Sequence, residues 1–107
     1  MKNCSTCLLG AVALIVQIGP ALASDNPSDP LYEKCKDLPR NAWCYEEAVE
    51  ARNEPAMCEN IIKYWPRAEG VHGWCYYQLA MKNKDCSLCG KIHKGDIRTM
   101  CTRDVCK

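Results

Sequence analysis

The sequence predicts a small all-α domain, an array of five or six short helices stapled by disulfides and built from about two and a half helix-hairpin repeats. Three observations lead there. The apolar residues recur with helical spacing and no segment alternates with period two. Eight Cys lie in the 84 residues after Ala23, a density expected of short secreted scaffolds. The tripeptide Trp43-Cys44-Tyr45 returns as Trp74-Cys75-Tyr76 at an offset of 31 residues, which also maps Cys58 onto Cys89 and Ile61 onto Ile92.

Residues 1–23 read as a secretory signal peptide: Lys2, an apolar run from Leu8 to Ile18, a Gly19-Pro20 break and the small-residue site Ala21-Leu22-Ala23. The run is shorter than the roughly 20 apolar residues of a spanning helix, so no membrane anchor is expected after cleavage. The expected location is a periplasm or the extracellular space, where an even number of Cys can pair completely. Residues 24–28 read as a flexible terminus, and 29–107 as a single domain.

Asp29-Pro30 supplies an N-cap and a Pro at the first helical position. Leu31, Tyr32, Cys35 and Leu38 then share a face until Pro39. From Asn41 to Asn53, Cys44, Tyr45, Ala48, Val49 and Ala51 form one stripe, with Glu46, Glu47 and Glu50 expected on a wet face. Pro55 restarts the chain as a helix carrying Met57, Cys58, Ile61, Ile62 and Trp65, which Pro66 ends. Cys75, Leu79 and Ala80 repeat the earlier stripe up to Asn83. Asp85 caps a short helix through Leu88 and Ile92, and Gly95-Asp96 opens a last one with Ile97, Met100, Cys101 and Val105 on one side.

A core this small is marginal by itself, and bridges of roughly 2 to 4 kcal/mol each make up the margin. Two Cys on successive antiparallel helices face each other when their midpoint falls at the turn. Cys35 with Cys44 centres on Pro39-Arg40, Cys58 with Cys75 on Pro66-Arg67, Cys89 with Cys101 on Gly95, and Cys86 with Cys106 nests outside that last pair. Pairing Cys44 with Cys58, or Cys75 with Cys89, centres inside helices. Cys86-x2-Cys89-x11-Cys101-x4-Cys106 could also be drawn as a zinc site, but an oxidising compartment favours disulfides. The spacing Cys35-x8-Cys44-x13-Cys58 resembles the opening of plant lipid-transfer proteins, whose adjacent Cys-Cys and C-x-C are absent here, so no apolar tunnel is carried over.

Function is less constrained. With thirteen basic and thirteen acidic side chains after Ala23, nothing attracts nucleic acid or anionic lipid, and a membrane-active peptide is disfavoured. Charge is segregated: Asp25 to Glu59 holds nine acidic and four basic residues, and Ile61 to Lys107 the reverse. His72 and His93 are the only His, no catalytic motif accompanies them, and no enzyme, cofactor or metal site is expected. Trp43 and Trp74 are expected as core aromatics against disulfides. Both hairpins keep 13 residues from Cys44 to Cys58 and from Cys75 to Cys89, whereas the bridged connections hold 8, 16 and 11. The longest, read as a loop from Ile62 to Gly73, carries Tyr64, Trp65, Arg67 and His72, residue types enriched at binding hot spots. These features lead to a secreted or periplasmic module that binds another exported protein, such as an inhibitor or immunity-type protein. A carrier of a small apolar ligand is the alternative, and a passive structural protein the second alternative.

Overall fold

Asp29 caps helix α1 (Pro30–Cys35), its Oδ1 accepting from the Leu31 and Tyr32 amides at 3.0 and 3.3 Å. A computed structural model describes residues 29–107. The expected signal peptide and flexible terminus lie outside the described residues. Helix α2 (Asn41–Arg52) follows, then a 3-10 turn (Pro55–Met57) running into α3 (Cys58–Tyr64), α4 (Glu69–Asn83), a second 3-10 turn (Cys86–Lys91) and α5 (Gly95–Val105). Among the described residues there is no strand.

The 31-residue repeat is a structural repeat. Helices α2 and α4 both end on a left-handed residue, Asn53 at φ 54° and Lys84 at φ 52°, one offset apart. Asn is among the residues that tolerate this conformation. Lys84 is exposed and its conformation is held by backbone hydrogen bonds, its own amide donating to the Met81 carbonyl and the Asp85 amide to the Ala80 carbonyl at 2.9 Å. The two helices lie with their C-terminal ends together. Asn53 and Asn83 exchange side-chain amide hydrogen bonds at 3.1 and 2.7 Å, and the Lys82 ammonium donates to the Glu50 carbonyl. Helix α4 is the hub, packing against every element from α2 to α5. Near its start Gly73 allows the next segment in: a Cβ there would stand 3.0 Å from Ile92 Cγ2 and 3.2 Å from Ile97 Cδ1.

The four bridges join Cys35 to Cys44, Cys58 to Cys75, Cys86 to Cys106 and Cys89 to Cys101, with Cα separations of 5.6, 5.8, 5.0 and 5.5 Å. Each is a turn-centred pair. They tie α1 to α2, α3 to α4, and the second 3-10 turn twice to α5. The same four Cys drawn as a zinc set are therefore consumed in two disulfides.

Three local expectations need correction. Leu38 is 48% exposed rather than buried, because α1 ends at Cys35 and the chain turns, the Leu38 amide donating to the Cys35 carbonyl. Trp43 and Trp74 are half-buried at the edge of the core; the aromatics inside are the Tyr after each Cys, Tyr45 and Tyr76. Trp43 lies under the Arg40 guanidinium at 5.6 Å and Trp74 against the Tyr77 ring at 5.1 Å. Glu46, expected in water, is 2% exposed, and its Oε2 has no hydrogen-bond partner. Helix α2 is covered by α1, α3, the first 3-10 turn and α4, so its buried arc is wide. The repeat accounts for the position: Ala42, Tyr45, Glu46 and Val49 match Gly73, Tyr76, Tyr77 and Ala80, and all eight are buried. Tyr77 donates its hydroxyl to Asp104 at 2.6 Å, whereas Glu46 Oε2 has no partner among the described residues.

Burial, together with the hydrogen-bonded carboxyl of Glu50 beside it, pushes the Glu46 carboxyl up to about 8 from an ordinary 4.5. The folded protein then binds a proton that the unfolded chain releases between those two values, so Glu46 makes stability fall as pH rises through that window. Glu46→Gln is expected to flatten this fall in the thermal midpoint between pH 5 and 8, and to stabilise the protein at pH 7 by on the order of 2 kcal/mol. Replacing Cys58 and Cys75 together by Ala should destabilise more than replacing Cys86 and Cys106. Their sequence separations of 17 and 20 imply a similar entropy contribution, roughly 3 kcal/mol for each. Only the first pair is wholly buried, so only its loss also removes core contacts. Urea denaturation of the two double variants measures the difference.

Candidate functional site

The segment read as a binding loop is mostly helix. Tyr64 closes α3, Glu69 opens α4, and only Trp65–Ala68 connects them. The extra residues between Cys58 and Cys75 lengthen α4 at its N-terminus by three positions relative to α2. As a result Tyr64, Trp65, Arg67 and His72 are distributed over three environments.

Tyr64 and Trp65 enter an aromatic cluster. The Tyr64 ring lies 4.3 Å from Tyr32, and Trp65 lies 5.5 Å from Tyr32 and 5.8 Å from Tyr45, edge-on to the latter. At its centre Asp29 Oδ2 accepts from the hydroxyls of Tyr45 at 2.6 Å and Tyr64 at 3.0 Å, and Asn60 donates to the Tyr45 hydroxyl. Burial alone would raise the Asp29 carboxyl. The Tyr hydroxyls and the amides of Tyr32 and Leu31 outweigh it and hold the group below its ordinary value. This cluster locks α1 onto the rest. Arg67 is exposed on the short connection.

His72 is 0% exposed, in the first turn of α4. Its Nε2 is 2.8 Å from Glu59 Oε2, which also accepts from the Tyr76 hydroxyl at 2.7 Å. Its Nδ1 has no partner among the described residues. The ring of the exposed His93 lies against that of His72, tilted by 41° with centroids 4.6 Å apart. His93 is held there by its neighbour Ile92, which is buried and whose carbonyl accepts from Arg98 at 2.8 Å. Desolvation of Glu59 is outweighed by the hydrogen bonds from His72 and Tyr76, leaving its carboxyl below the ordinary value. Burial and the Glu59 carboxylate both push the Tyr76 hydroxyl up, so it remains a donor.

Glu59 and Tyr76 also line an apolar groove of about 430 Å³ with Pro55, Ala56, Leu88 and Lys91. One wall is the first 3-10 turn and the start of α3, the other is the second 3-10 turn, and α4 is the floor. Nothing in the residue pattern points to Glu59 or to His93 as a partner of His72. Their separations, 13 and 21 residues from His72, match no ligand motif; the scarcity of His in the chain singles out His93, and nothing singles out Glu59. No family model matches the chain, and neither curated proteins nor solved structures yield a match.

Trp65→Ala is expected to destabilise the protein by about 2 to 3 kcal/mol, since it opens the cluster that covers Asp29. Arg67→Ala should leave the thermal midpoint within about 0.5 kcal/mol of wild type. Chemical denaturation of both variants separates a packing residue from a free surface residue.

Proposed function

We propose that the protein is an exported binding module, not an enzyme, that docks a segment of another exported protein in the groove between the two 3-10 turns; an inhibitor or immunity-type role is the form this takes. The observation that carries this reading is the groove itself, whose apolar lining holds one carboxylate, Glu59, and one ammonium, Lys91. Glu59 belongs to the acidic half of the chain and Lys91 to the basic half, so the two walls of the groove differ in sign. A polypeptide carrying an apolar side chain between charges of opposite sign is the occupant that matches.

Four disulfides are compatible with export, and among the described residues no helix is long and apolar enough to cross a membrane. The apolar-carrier reading has less support, because Tyr45, Val49, Ile61, Leu79 and Ile92 fill the space between the helices. Ala56 is exposed at the groove, so Ala56→Arg blocks it without entering the core. Captured from the exported fraction, a stoichiometric protein partner should bind wild type and lose roughly tenfold or more in affinity for Ala56→Arg, as for an interface hot spot. Equal retention by both proteins removes the groove reading, and a co-purifying lipid in place of protein favours the carrier.

A further inference from the structure

We propose that Glu59, His72 and His93 form a binding site for a divalent transition-metal ion of the zinc class. The three residues come from α3, α4 and the segment after the second 3-10 turn. One donor atom from each lies within 4.8 Å of the others. Ligands on a tetrahedral ion with bonds of about 2.0 to 2.1 Å stand roughly 3.3 Å apart. The present Glu59 to His72 separation of 2.8 Å and the 4.8 Å limit bracket that value, so side-chain rotation is enough to close the site. The buried His72 is the fixed ligand. Glu59, with half its side chain in solvent, and the exposed His93 are free to adjust.

The donor set selects the ion. Two imidazoles and one carboxylate suit Zn²⁺, Cu²⁺ or Ni²⁺ and suit Mg²⁺ or Ca²⁺ poorly, since the latter require mostly oxygen. Binding replaces the proton between His72 Nε2 and Glu59 Oε2 with the ion, and that proton moves to His72 Nδ1 or to water. The Tyr76 hydroxyl, already on Glu59 Oε2, continues to orient the carboxylate. Three protein ligands leave a fourth position on the solvent side, where two of the three residues are exposed.

Most buried side-chain polar atoms have a hydrogen-bond partner in protein or ordered water. Among the described residues His72 is paired only on the side that faces Glu59, and the lack of a protein partner at Nδ1 also sets the expected strength. A ligating His usually donates its other N–H, and loss of such a partner weakens metal binding 10- to 100-fold. The site should therefore bind in the micromolar rather than the nanomolar range. This inference is independent of the protein-partner reading.

Calorimetric titration of the oxidised protein with ZnCl2, with MgCl2 as control, is the test. The expected result is one Zn²⁺ per chain at a dissociation constant on the order of micromolar, a raised thermal midpoint and no response to Mg²⁺. His93→Ala, a change at an exposed residue, should retain the metal-free midpoint and weaken Zn²⁺ binding roughly tenfold or more. Glu59→Gln should weaken it as well. No binding at about 100-fold the expected constant, or the same affinity in His93→Ala, overturns the site.

Discussion

The Cys58–Cys75 bridge is the constraint on which the rest of the molecule depends. Both residues are wholly buried, one at the start of α3 and the other in the second turn of α4, the helix that nearly every other element packs against. The residue after each bridged Cys is carried into the same neighbourhood, and those residues are Glu59 and Tyr76, 2.7 Å apart. His72 precedes Cys75 by three positions and Tyr76 by four, so all three lie on one face of α4. A covalent link inside the core thus places a carboxylate, an imidazole and a phenol together at its edge.

The first copy of the repeat uses the same device to a different end. Tyr45 follows Cys44 as Tyr76 follows Cys75, and each donates its hydroxyl to a carboxylate. For Tyr45 the acceptor is Asp29, which also caps α1 and is covered by Tyr64 with Tyr32 and Trp65 stacked around it. Its remaining capacity is used within the fold. For Tyr76 the acceptor is Glu59, whose side chain is half in solvent and borders the groove. The duplicated Tyr meets a structural carboxylate in one copy and an accessible one in the other, and the two carboxylates come from positions that the repeat does not relate.

Much of the fold was legible because its punctuation is local. Asp29-Pro30, Pro55 and Asp85 mark starts that depend on a few adjacent residues, and turn-centred midpoints follow from helices folding back at those breaks. What could not be read depends on neighbours distant in sequence. Glu46 lies beside Glu47 and Glu50 and appears solvated when α2 is considered alone; its burial follows from α1, α3 and α4 converging on that helix. Its alignment with Tyr77 across the 31-residue offset was a usable signal, since both positions face inward. The extra residues between Cys58 and Cys75 were read as loop because spacing does not say whether an insertion lengthens a connection or a helix. It lengthened α4, which carried His72 into the core beside Glu59.

The placement of the other bridges determines what the groove can do. Cys58 opens the helix that contributes Glu59 to one wall, Cys75 lies in the floor, and Cys86 and Cys89 both lie in the turn that contributes Leu88 and Lys91 to the opposite wall. Each wall of the groove is therefore covalently tied to a neighbouring helix, the first to α4 and the second to α5. A disulfide is usually credited with stability through the unfolded chain, but here the same links also limit how far the walls can separate in the folded state. Ordering a binding surface at the moment of contact weakens association, and a surface whose walls are already fixed avoids most of that loss. A domain with so small a core could not hold such a concavity open by packing alone, so the density of Cys serves the recognition surface as well as the fold.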